Sequence, residues 1–543
     1  MKNTTAYTTL VLSFILISGV LYANSITVSN VSRGLQNTTE QYVMVQFDLS
    51  WENSWRTSSG PANWDAAWVF IKYRVAGGEW QHAWLNGSGH TAPSGSTIDV
   101  GLRTPGSGFH AMTNPGLGVF IYRSANGTGT FTAEDVHLRW NYGDNGVADS
   151  DNVEVKVFAI EMVYVPEGNF QVGSGGQNIG EFRPANVTAI SGTVATFEIT
   201  STPPVIQGNN ATSSTSNLSA RSGNNLDLGT GIGTATLASG FPTGYGAFYG
   251  MKYEISQGQY RDFLNTLTRN QQETRFASIT VGNYMHSLTG QTTPMYRNGV
   301  RLVSDPGGIS PRVYACDLNP SVSPYTDSDV NQSDDGEWIA CNWLSWGDGM
   351  AYADWSGLRP MTELEYEKAC RGDQPPVEDE YAWGTTSTTA ATSISDGGEA
   401  GEKADNMGSN VVFGNQTNVQ GPLRVGSFAQ MSTTRELSGS GYYGMMELSG
   451  NLWERAVTIG NADGRSYTGE HGDGVLSVAG HSNELTWPGL VSGVVTGSTG
   501  SGFRGGGYLS VALDLKVSFR NFAATSITNR FNDTGLRLVR SAG

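Results

Sequence analysis

The residues best suited to redox or metal chemistry in this chain are few and widely spaced. Its 543 residues include three cysteines, Cys316, Cys341 and Cys370, and seven histidines. There is no Cys-x-x-Cys pair and no His-x-His or His-Glu-x-x-His spacing, so zinc-finger, thioredoxin-like and histidine-based metal sites are not predicted. An odd number of cysteines also leaves at least one thiol unpaired within a single chain.

Two of the cysteines are candidates for a disulfide. Cys316 and Cys341 enclose a polar segment of 24 residues, which contains the turn-forming sequence Asp334-Asp335-Gly336. A turn there would return the chain towards Cys316, and export would expose it to oxidising conditions. We therefore expect a Cys316–Cys341 disulfide, with Cys370 reduced and buried near the end of a helix. Three free, buried thiols are the alternative.

A group of carboxylates is the other candidate for chemistry. Glu363, Glu365 and Glu367 alternate within one short segment, and paired carboxylates can serve hydrolysis. On a helix, however, side chains two positions apart point in different directions. The expected role is helix capping and a solvated face, not a catalytic pair.

The N-terminus has the pattern of an export signal. Lys2 precedes an apolar run over residues 10–21, and Ala23 offers a small residue for cleavage. We expect a signal peptide over residues 1–23 and a secreted or cell-surface protein. A membrane anchor is the alternative, although the run is short for a membrane span.

Composition narrows the classes of partner and fold. Lys and Arg total 32 against 49 Asp and Glu, a net charge of −17, which argues against a nucleic-acid partner. Only 15% of residues are charged, 10% are aromatic and 71 are glycine. This composition favours β-rich or irregular structure packed on aromatic anchors, and it excludes a bundle of long helices.

Patterning divides the chain into regions. Apolar and polar residues alternate over 42–51, and similar but weaker runs follow, which predicts an all-β sandwich over residues 25–160. Residues 175–240 are rich in Ser, Thr, Asn and Gly, as expected of an insertion or flexible surface loop. Helices are predicted after the cap residue Ser256, over 345–355, and from the capping box that begins at Thr362.

Eight sequence motifs then follow one another in a fixed order. They occupy residues 162–173, 253–260, 343–352, 358–372, 381–384, 450–454, 503–508 and 535–538. Their order resembles that of sulfatase-modifying-factor domains, the formylglycine-generating enzyme family, over about residues 161–543. The fourth motif departs from the family signature, with Met361 inserted and Tyr366 in place of Trp. The resemblance implies a C-type-lectin-like fold with few helices, so the whole chain is expected to be α+β.

The resemblance also implies where an oxidase site would lie. Formylglycine-generating members bind copper with two cysteines, five residues apart, after the Arg-Gly-Gly-Ser segment, and oxidise a sulfatase cysteine. Counted from Arg504, those positions hold Ser510 and Leu515 here, and Gly507 replaces the usual Ser. Neither residue supplies a thiolate. We expect no copper and no oxidase activity, while any other enzymatic activity stays undecided.

A calcium loop is the second implied site. The resemblance makes Glu447 and Glu454 carboxylate ligands and Gly450 and Leu452 carbonyl ligands, all of them oxygen donors that Ca²⁺ prefers. Asn406 would be the upstream ligand, and it fits the family pattern less well. A structural turn without metal is the alternative.

The C-terminal stretch has the composition of a recognition surface. Aromatic, Asn and Arg residues interleave there, and such residues make adaptable contacts. The candidate ligand-binding residues are Tyr508, Asp514, Lys516, Phe519, Asn521, Asn529, Phe531 and Asn532. This stretch resembles the variable region of proteins diversified by retroelements, which use a lectin-like fold. The alternative is an ordinary family tail with its aromatics in the core.

These observations favour a binding protein. The expected function is a catalytically degenerate domain that binds or displays a protein or glycan ligand at the cell surface. The N-terminal sandwich is expected to serve surface attachment or self-assembly. Two alternatives remain: an active oxidoreductase or other enzyme of the same family, and a structural subunit of a surface layer or appendage.

Overall fold

The computed structural model describes residues 26–185, 195–208, 216–221, 233–286, 289–319, 330–430 and 433–543. The predicted signal peptide over residues 1–23 lies outside the described residues. Within the described ranges, no helix combines the length and apolarity needed to cross a membrane.

The structure is made of many short strands and a few helices. The strands are β1 (Thr27–Asn37), β2 (Tyr42–Arg56), β3 (Asp65–Val75), β4 (Gln81–His82), β5 (Ser96–Leu102), β6 (Gly116–Arg123), β7 (Gly127–Trp140), β8 (Val153–Val165), β9 (Phe170–Val172), β10 (Phe182–Pro184), β11 (Phe197–Ile199), β12 (Val205–Gln207), β13 (Asn217–Ala220), β14 (Thr234–Ala235), β15 (Phe248–Met251), β16 (Val300–Ser304), β17 (Val313–Cys316), β18 (Arg359–Pro360), β19 (Ile394–Ser395), β20 (Lys403–Ala404), β21 (Glu454–Val457), β22 (Leu490–Val491), β23 (Val494–Val495), β24 (Ser501–Arg504) and β25 (Leu538–Ser541). The helices are α1 (Gln257–Leu264), α2 (Arg269–Arg275), α3 (Trp346–Ser356), α4 (Glu363–Arg371), α5 (Arg435–Ser438) and α6 (Ala462–Arg465), with a 3₁₀ helix at Ala512–Leu515. The predicted α+β class is confirmed.

Two sheets form the N-terminal half. One has the order β1-β2-β7, and the other has the order β18-β25-β15-β8-β3-β6-β5. Alternate residues of β2, among them Val45, Phe47 and Leu49, are buried, as its sequence alternation predicts. They share one core with Val69 and Ile71 of β3, so the two sheets pack face to face as the predicted sandwich.

The second sheet continues into the C-terminal half. Strand β8 pairs with β3 on one side and with β15 on the other. The face of this sheet that points away from the sandwich core carries Trp68 and Phe70 of β3 and Ile160 of β8, which pack against the helices of the C-terminal half. The domain boundary predicted at residue 160 therefore falls inside β8, and the two halves share one sheet and a common core.

The Ser/Thr/Asn/Gly-rich segment contains regular structure where it is described. Strands β10, β13, β12 and β14 form a four-stranded sheet, and β11 pairs with β9. Ile206 and Leu218, paired across β12 and β13, are fully buried. The described parts of residues 175–240 thus contain a packed subsheet, whereas composition suggested an insertion or a flexible surface loop.

The three predicted helices are confirmed, with their caps. Ser256 and Thr362 each accept a hydrogen bond from a backbone N–H three residues later, in capping boxes closed by Gln259 and Glu365. Ser345 caps α3 in the same way. These caps satisfy first-turn N–H groups that have no partner inside a helix.

The predicted disulfide is not present: Cys316, Cys341 and Cys370 are all free and buried. The chain does turn back towards Cys316, but Asn331 is the residue that meets it. The Asn331 N–H donates to the Cys316 carbonyl at 2.9 Å, and the Asn331 side chain accepts from the Cys316 N–H at 3.0 Å. The Cys341 N–H donates instead to Ile255 O at 2.8 Å. The alternative of three buried thiols therefore describes the structure.

Candidate functional site

The two positions at which the sequence resemblance implies copper-binding thiolates hold Ser510 and Leu515. Ser510 Oγ accepts a hydrogen bond from the Gly507 N–H at 3.0 Å, so it serves the turn in which it lies. Leu515 is fully buried at the end of the 3₁₀ helix and packs in a small apolar cluster with Tyr381 and Trp383. A hydroxyl and an alkyl group do not provide the soft ligands that copper requires.

Near these positions lie the rings of Tyr296, Trp343 and Tyr508, together with Phe531 and Asn532 of the C-terminal tail; we call these five residues the aromatic face. The Tyr296 ring lies 5.9 Å from that of Trp343 and 6.5 Å from that of Tyr508, measured between centroids. Asn532 Nδ2 donates to the Tyr508 hydroxyl at 2.9 Å. The backbone N–H of Trp343 donates to the backbone carbonyl of Phe531 at 2.9 Å, which attaches the C-terminal tail to this region.

The aromatic face combines exposed rings with a strained, partly unsatisfied tryptophan. Tyr296 and Phe531 are 38% and 37% exposed, which is high for large aromatic residues. Trp343 is 6% exposed and has a φ of +61°, and its indole N–H has no hydrogen-bond partner among the residues that the structure describes. Left-handed backbone at a bulky residue is costly and is concentrated at functional sites. Tyr508, by contrast, is only 1% exposed, so Tyr296 and Phe531 supply the exposed part of this face.

The structure brings only some of the predicted ligand residues to this face. Tyr508, Phe531 and Asn532 lie in it. Phe519 is buried in a core cluster with Trp453 and Phe503, which agrees with the alternative of a structural tail residue. Asn529 lines a separate cavity of about 360 Å³.

The remaining predicted ligand residues are half-buried. Lys516 Nζ pairs with Asp379 at 2.9 Å, and Asp514 lies in the 3₁₀ helix. Asn521 is half-buried in the loop after Arg520. Sequence reasoning missed Tyr296 as a partner of Tyr508, because the two lie more than 200 positions apart and no local pattern connects them.

The predicted calcium ligands Glu447 and Glu454 lie in one buried group of charges. Glu454 Oε1 accepts from Arg537 Nε at 2.7 Å, and Glu447 Oε1 accepts from the Gly426 N–H at 2.8 Å. Within the described part of the chain, the second carboxylate oxygen of each is buried and has no hydrogen-bond partner. Burial raises the pKa of Glu447 to about 7. Two unpartnered carboxylate oxygens are chemically suited to a hard cation.

Other contacts in this group compete with a metal. A third carboxylate, Glu254, accepts the Leu452 N–H at 3.0 Å, and burial followed by the nearby Glu454 raises the pKa of Glu254 well above its usual range. All three carboxylates interact with the buried guanidinium of Arg537. The Gly450 N–H donates to Gly505 O at 2.8 Å, a contact that does not use the Gly450 carbonyl oxygen, the predicted ligand atom. The guanidinium thus already supplies a positive charge next to Glu454.

The predicted upstream ligand, Asn406, has its side chain committed elsewhere. Its Oδ1 accepts from the Thr392 N–H at 2.9 Å and its Nδ2 donates to Ala390 O at 2.8 Å. Both amide atoms therefore stabilise a turn. This agrees with the poorer fit of Asn406 to the family pattern.

The solvated face predicted for Glu363, Glu365 and Glu367 is wrong, because all three are buried. Glu363 bonds two arginines, Arg504 at 3.1 Å and Arg520 at 2.6 Å. Glu367 bonds Arg504 at 2.7 Å, and Glu365 bonds Arg359 at 2.6 Å while closing the capping box. These carboxylates hold β24 and the C-terminal tail against α4, so their role is structural.

Comparison with known proteins adds one match. The family model described as the sulfatase-modifying factor enzyme 1-like domain matches residues 242–542. The search of curated proteins gave no match. The matched range contains α1 to α6, Ser510, Leu515 and the aromatic face, and seven of the eight sequence motifs fall within it.

Proposed function

This chain belongs to the sulfatase-modifying factor family, and we propose that it has lost the family's copper oxidase chemistry and binds a ligand at its aromatic face. The observation that carries the proposal is the pair Ser510 and Leu515 at the positions of the copper thiolates. The proposed ligand is a protein or a glycan, bound outside the cell after export, and nucleic acid is disfavoured by the net charge of −17.

The chain's own thiols do not replace the missing pair. Cys316, Cys341 and Cys370 are each fully buried. Burial raises the pKa of Cys370 to about 12 and raises those of Cys316 and Cys341 as well. Copper ligation and thiol oxidation both need the thiolate. This argues against the alternative of an oxidoreductase that uses these cysteines.

The aromatic face supports binding in two ways. Exposed aromatic rings supply large, rigid contact area at low entropic cost, and they are enriched where proteins recognise partners. The unpartnered Trp343 indole N–H and the Asn532 amide add directional hydrogen bonding.

Retroelement diversification of this C-terminal stretch would be supported by a near-copy of its coding DNA beside a reverse-transcriptase gene.

The N-terminal sandwich is proposed to attach or assemble the protein. Among the described strands, β1 pairs with β2 alone, and nearly all its residues are exposed, which leaves a long open edge. Open edges can pair with another chain. This observation keeps the alternative of a structural subunit in a surface layer or appendage, which defined polymers of the purified chain would favour.

The absence of oxidase activity is directly testable. We expect no conversion of a sulfatase-motif cysteine peptide to formylglycine when the purified chain is supplied with copper and reductant. The reason is that Ser510 and Leu515 provide no thiolate. Mass spectrometry of the peptide measures the product, with an active member of the family as positive control. Turnover above a sample without protein would contradict the proposal.

Binding at the aromatic face is tested by a double substitution. We expect Tyr296→Ala with Phe531→Ala to weaken binding at least tenfold to the targets that the wild type recognises on a glycan array or a panel of cell-surface proteins. The matched control is Phe109→Ala, because Phe109 is 38% exposed but lies in the N-terminal half. Equal losses in both variants, or no loss in the double variant, would place the ligand elsewhere.

A further inference from the structure

A buried lysine lies between two buried carboxyl groups where the two halves of the protein meet. Lys252 directly follows β15, Asp65 begins β3, and Glu161 lies in β8, the strand between those two in the sheet. Val163 of β8 pairs with Asp65 on one side and with Gly250 on the other. Because alternate residues of a strand point to the same face, the three side chains share one face of the sheet. We call them the lysine–carboxyl triad.

The distances in the triad are short enough for bond formation. Lys252 Nζ lies 3.0 Å from Glu161 Oε2 and 3.4 Å from Asp65 Oδ2. It also lies over the rings of Trp55 and Tyr253, at 5.1 and 5.4 Å from their centroids. All three members of the triad are buried, so the amine and the carboxyl groups are held together with little access to water. Fixing two reacting groups in this way replaces an encounter in solution by a reaction within one molecule.

The two carboxyl groups have different surroundings. Asp65 Oδ1 accepts from the Ser54 hydroxyl at 2.7 Å and from the Trp55 N–H at 3.0 Å, and Asp65 Oδ2 accepts from the Trp51 indole N–H at 2.9 Å. Such donors stabilise the negative charge that develops on oxygen when a carboxyl carbon is attacked. Glu161 Oε1, by contrast, is buried and has no hydrogen-bond partner in the described part of the chain. Asp65 is therefore placed to be attacked, and Glu161 to carry a proton.

The charges of the triad favour an additional proton. Burial raises the pKa of both Asp65 and Glu161, although the Lys252 ammonium opposes both shifts. Burial alone would lower the pKa of Lys252, but Glu161, followed by its other neighbours, holds that pKa above its usual value. The amine therefore becomes nucleophilic when its proton moves to Glu161, along a hydrogen bond of 3.0 Å.

We propose that Lys252 and Asp65 join in an intramolecular isopeptide bond once the chain has folded, with Glu161 as the general acid and base. Glu161 takes a proton from the Lys252 ammonium, and the free amine attacks Cγ of protonated Asp65. The Nζ–Cγ bond forms, Glu161 returns the proton to the leaving oxygen, the C–O bond breaks, and one water is released. The reaction consumes no oxidant, metal or cofactor. Lys252 lines a cavity of about 410 Å³, through which the water can leave.

The bond has a physical advantage and a structural consequence. It replaces a buried ammonium and a buried carboxylate by a neutral amide, which removes the desolvation cost of holding two charges in the interior. It also joins β3 of the sandwich covalently to the residue after β15 in the family domain. All three cysteines of this chain are free, so the isopeptide bond supplies the covalent link that disulfides provide in many exported proteins. The proposal does not depend on the ligand-binding function.

Mass spectrometry of the full mature chain, purified and then denatured, tests the proposal. We expect an intact mass lower than that of the sequence by one water, and a branched peptide that contains both Asp65 and Lys252 after proteolysis. Lys252→Ala and Glu161→Gln should each have the full mass of their sequences. Glu134→Gln, an exposed change on β7, is the matched control and should keep the loss of water.

The branched peptide separates this bond from other losses of water. An aspartyl succinimide also lowers the mass by one water, but it persists in Lys252→Ala and gives no branched peptide, and that outcome contradicts the proposal. If Glu161→Gln does not fold by near-ultraviolet circular dichroism, the mass of the wild type and its branched peptide still decide. A folded wild type with the full mass of its sequence overturns the proposal. A branched peptide that joins Lys252 to Glu161 overturns the assignment of the bond to Asp65.

Discussion

Replacing Glu363 by glutamine lowers the free energy of unfolding by about 3–5 kcal/mol, the cost of removing one partner from a buried ion pair. The Glu363 carboxylate is 1% exposed and bonds both Arg504 and Arg520, which are fully buried. It also accepts the Ile459 N–H at 2.9 Å. Glutamine keeps the size and one carbonyl oxygen, but it leaves two buried guanidiniums with too little negative charge.

The environment of Glu363 supports this size of effect. Burial alone would raise the pKa of its carboxyl, yet Arg520, followed by Arg504, holds the pKa below its usual value. The charged form is therefore the one that the fold stabilises. Chemical denaturation followed by circular dichroism measures the change, with the exposed Glu134→Gln on β7 as the control. A loss at position 363 no larger than that of the control would contradict the prediction.

Sequence predicted the features whose determinants are local. The alternation of β2, the N-cap at Ser256 and the capping box at Thr362 depend on residues a few positions apart, and the structure confirms all three. The eight motifs likewise predicted the family. Each of these signals reports a backbone geometry that nearby residues decide.

The features that sequence did not predict depend on distant partners. From sequence, Glu363 was predicted to lie on a solvated helix face. It is buried because Arg504 and Arg520, more than 130 positions later in the chain, enclose it. The turn before Cys341 was predicted, but it is Asn331 that meets Cys316. The same holds for Asp354, whose carboxylate neighbours follow more than 100 positions later. Charge burial of this kind is decided by tertiary packing and leaves no periodic signal.

The domain boundary is another feature that depends on residues distant in the sequence. Strand β3 is buried on both faces over Asp65–Tyr73, and its nearly continuous apolar run is consistent with that. The sequence does not say what covers the second face. The covering elements are the helices of the C-terminal half, with Phe70 in edge contact with Trp355 of α3. A strand alternation pattern therefore predicted the sandwich but not its fusion with the family domain.

Glu447→Gln is expected to stabilise the chelator-treated protein by up to about 3 kcal/mol at pH 8 and to have little effect at pH 4. Burial raises the pKa of Glu447 from 4.5 to about 7, while Arg537, the Gly426 N–H and Arg424 oppose that rise. The folded state thus keeps a proton that the unfolded chain releases near pH 4.5. Stability is lost as the pH rises from about 4.5 to about 7, and glutamine, which has no charge, avoids that loss.

The same variant decides whether the calcium loop operates at Glu447 and Glu454. A cation held by their two unpartnered oxygens favours the charged carboxylates, so in CaCl₂ the wild type would gain stability at neutral pH and the variant would not. Without a cation, the guanidiniums of Arg537 and Arg424 supply the nearby positive charge, and CaCl₂ would leave the advantage of glutamine unchanged. Thermal unfolding at pH 4 and pH 8, with chelator and with CaCl₂, measures both effects, and Glu134→Gln is again the exposed control. A variant less stable than the wild type at pH 8 in chelator would contradict the prediction. It would show that the attraction between the charged Glu447 and Arg537 stabilises the fold by more than the burial of that charge destabilises it.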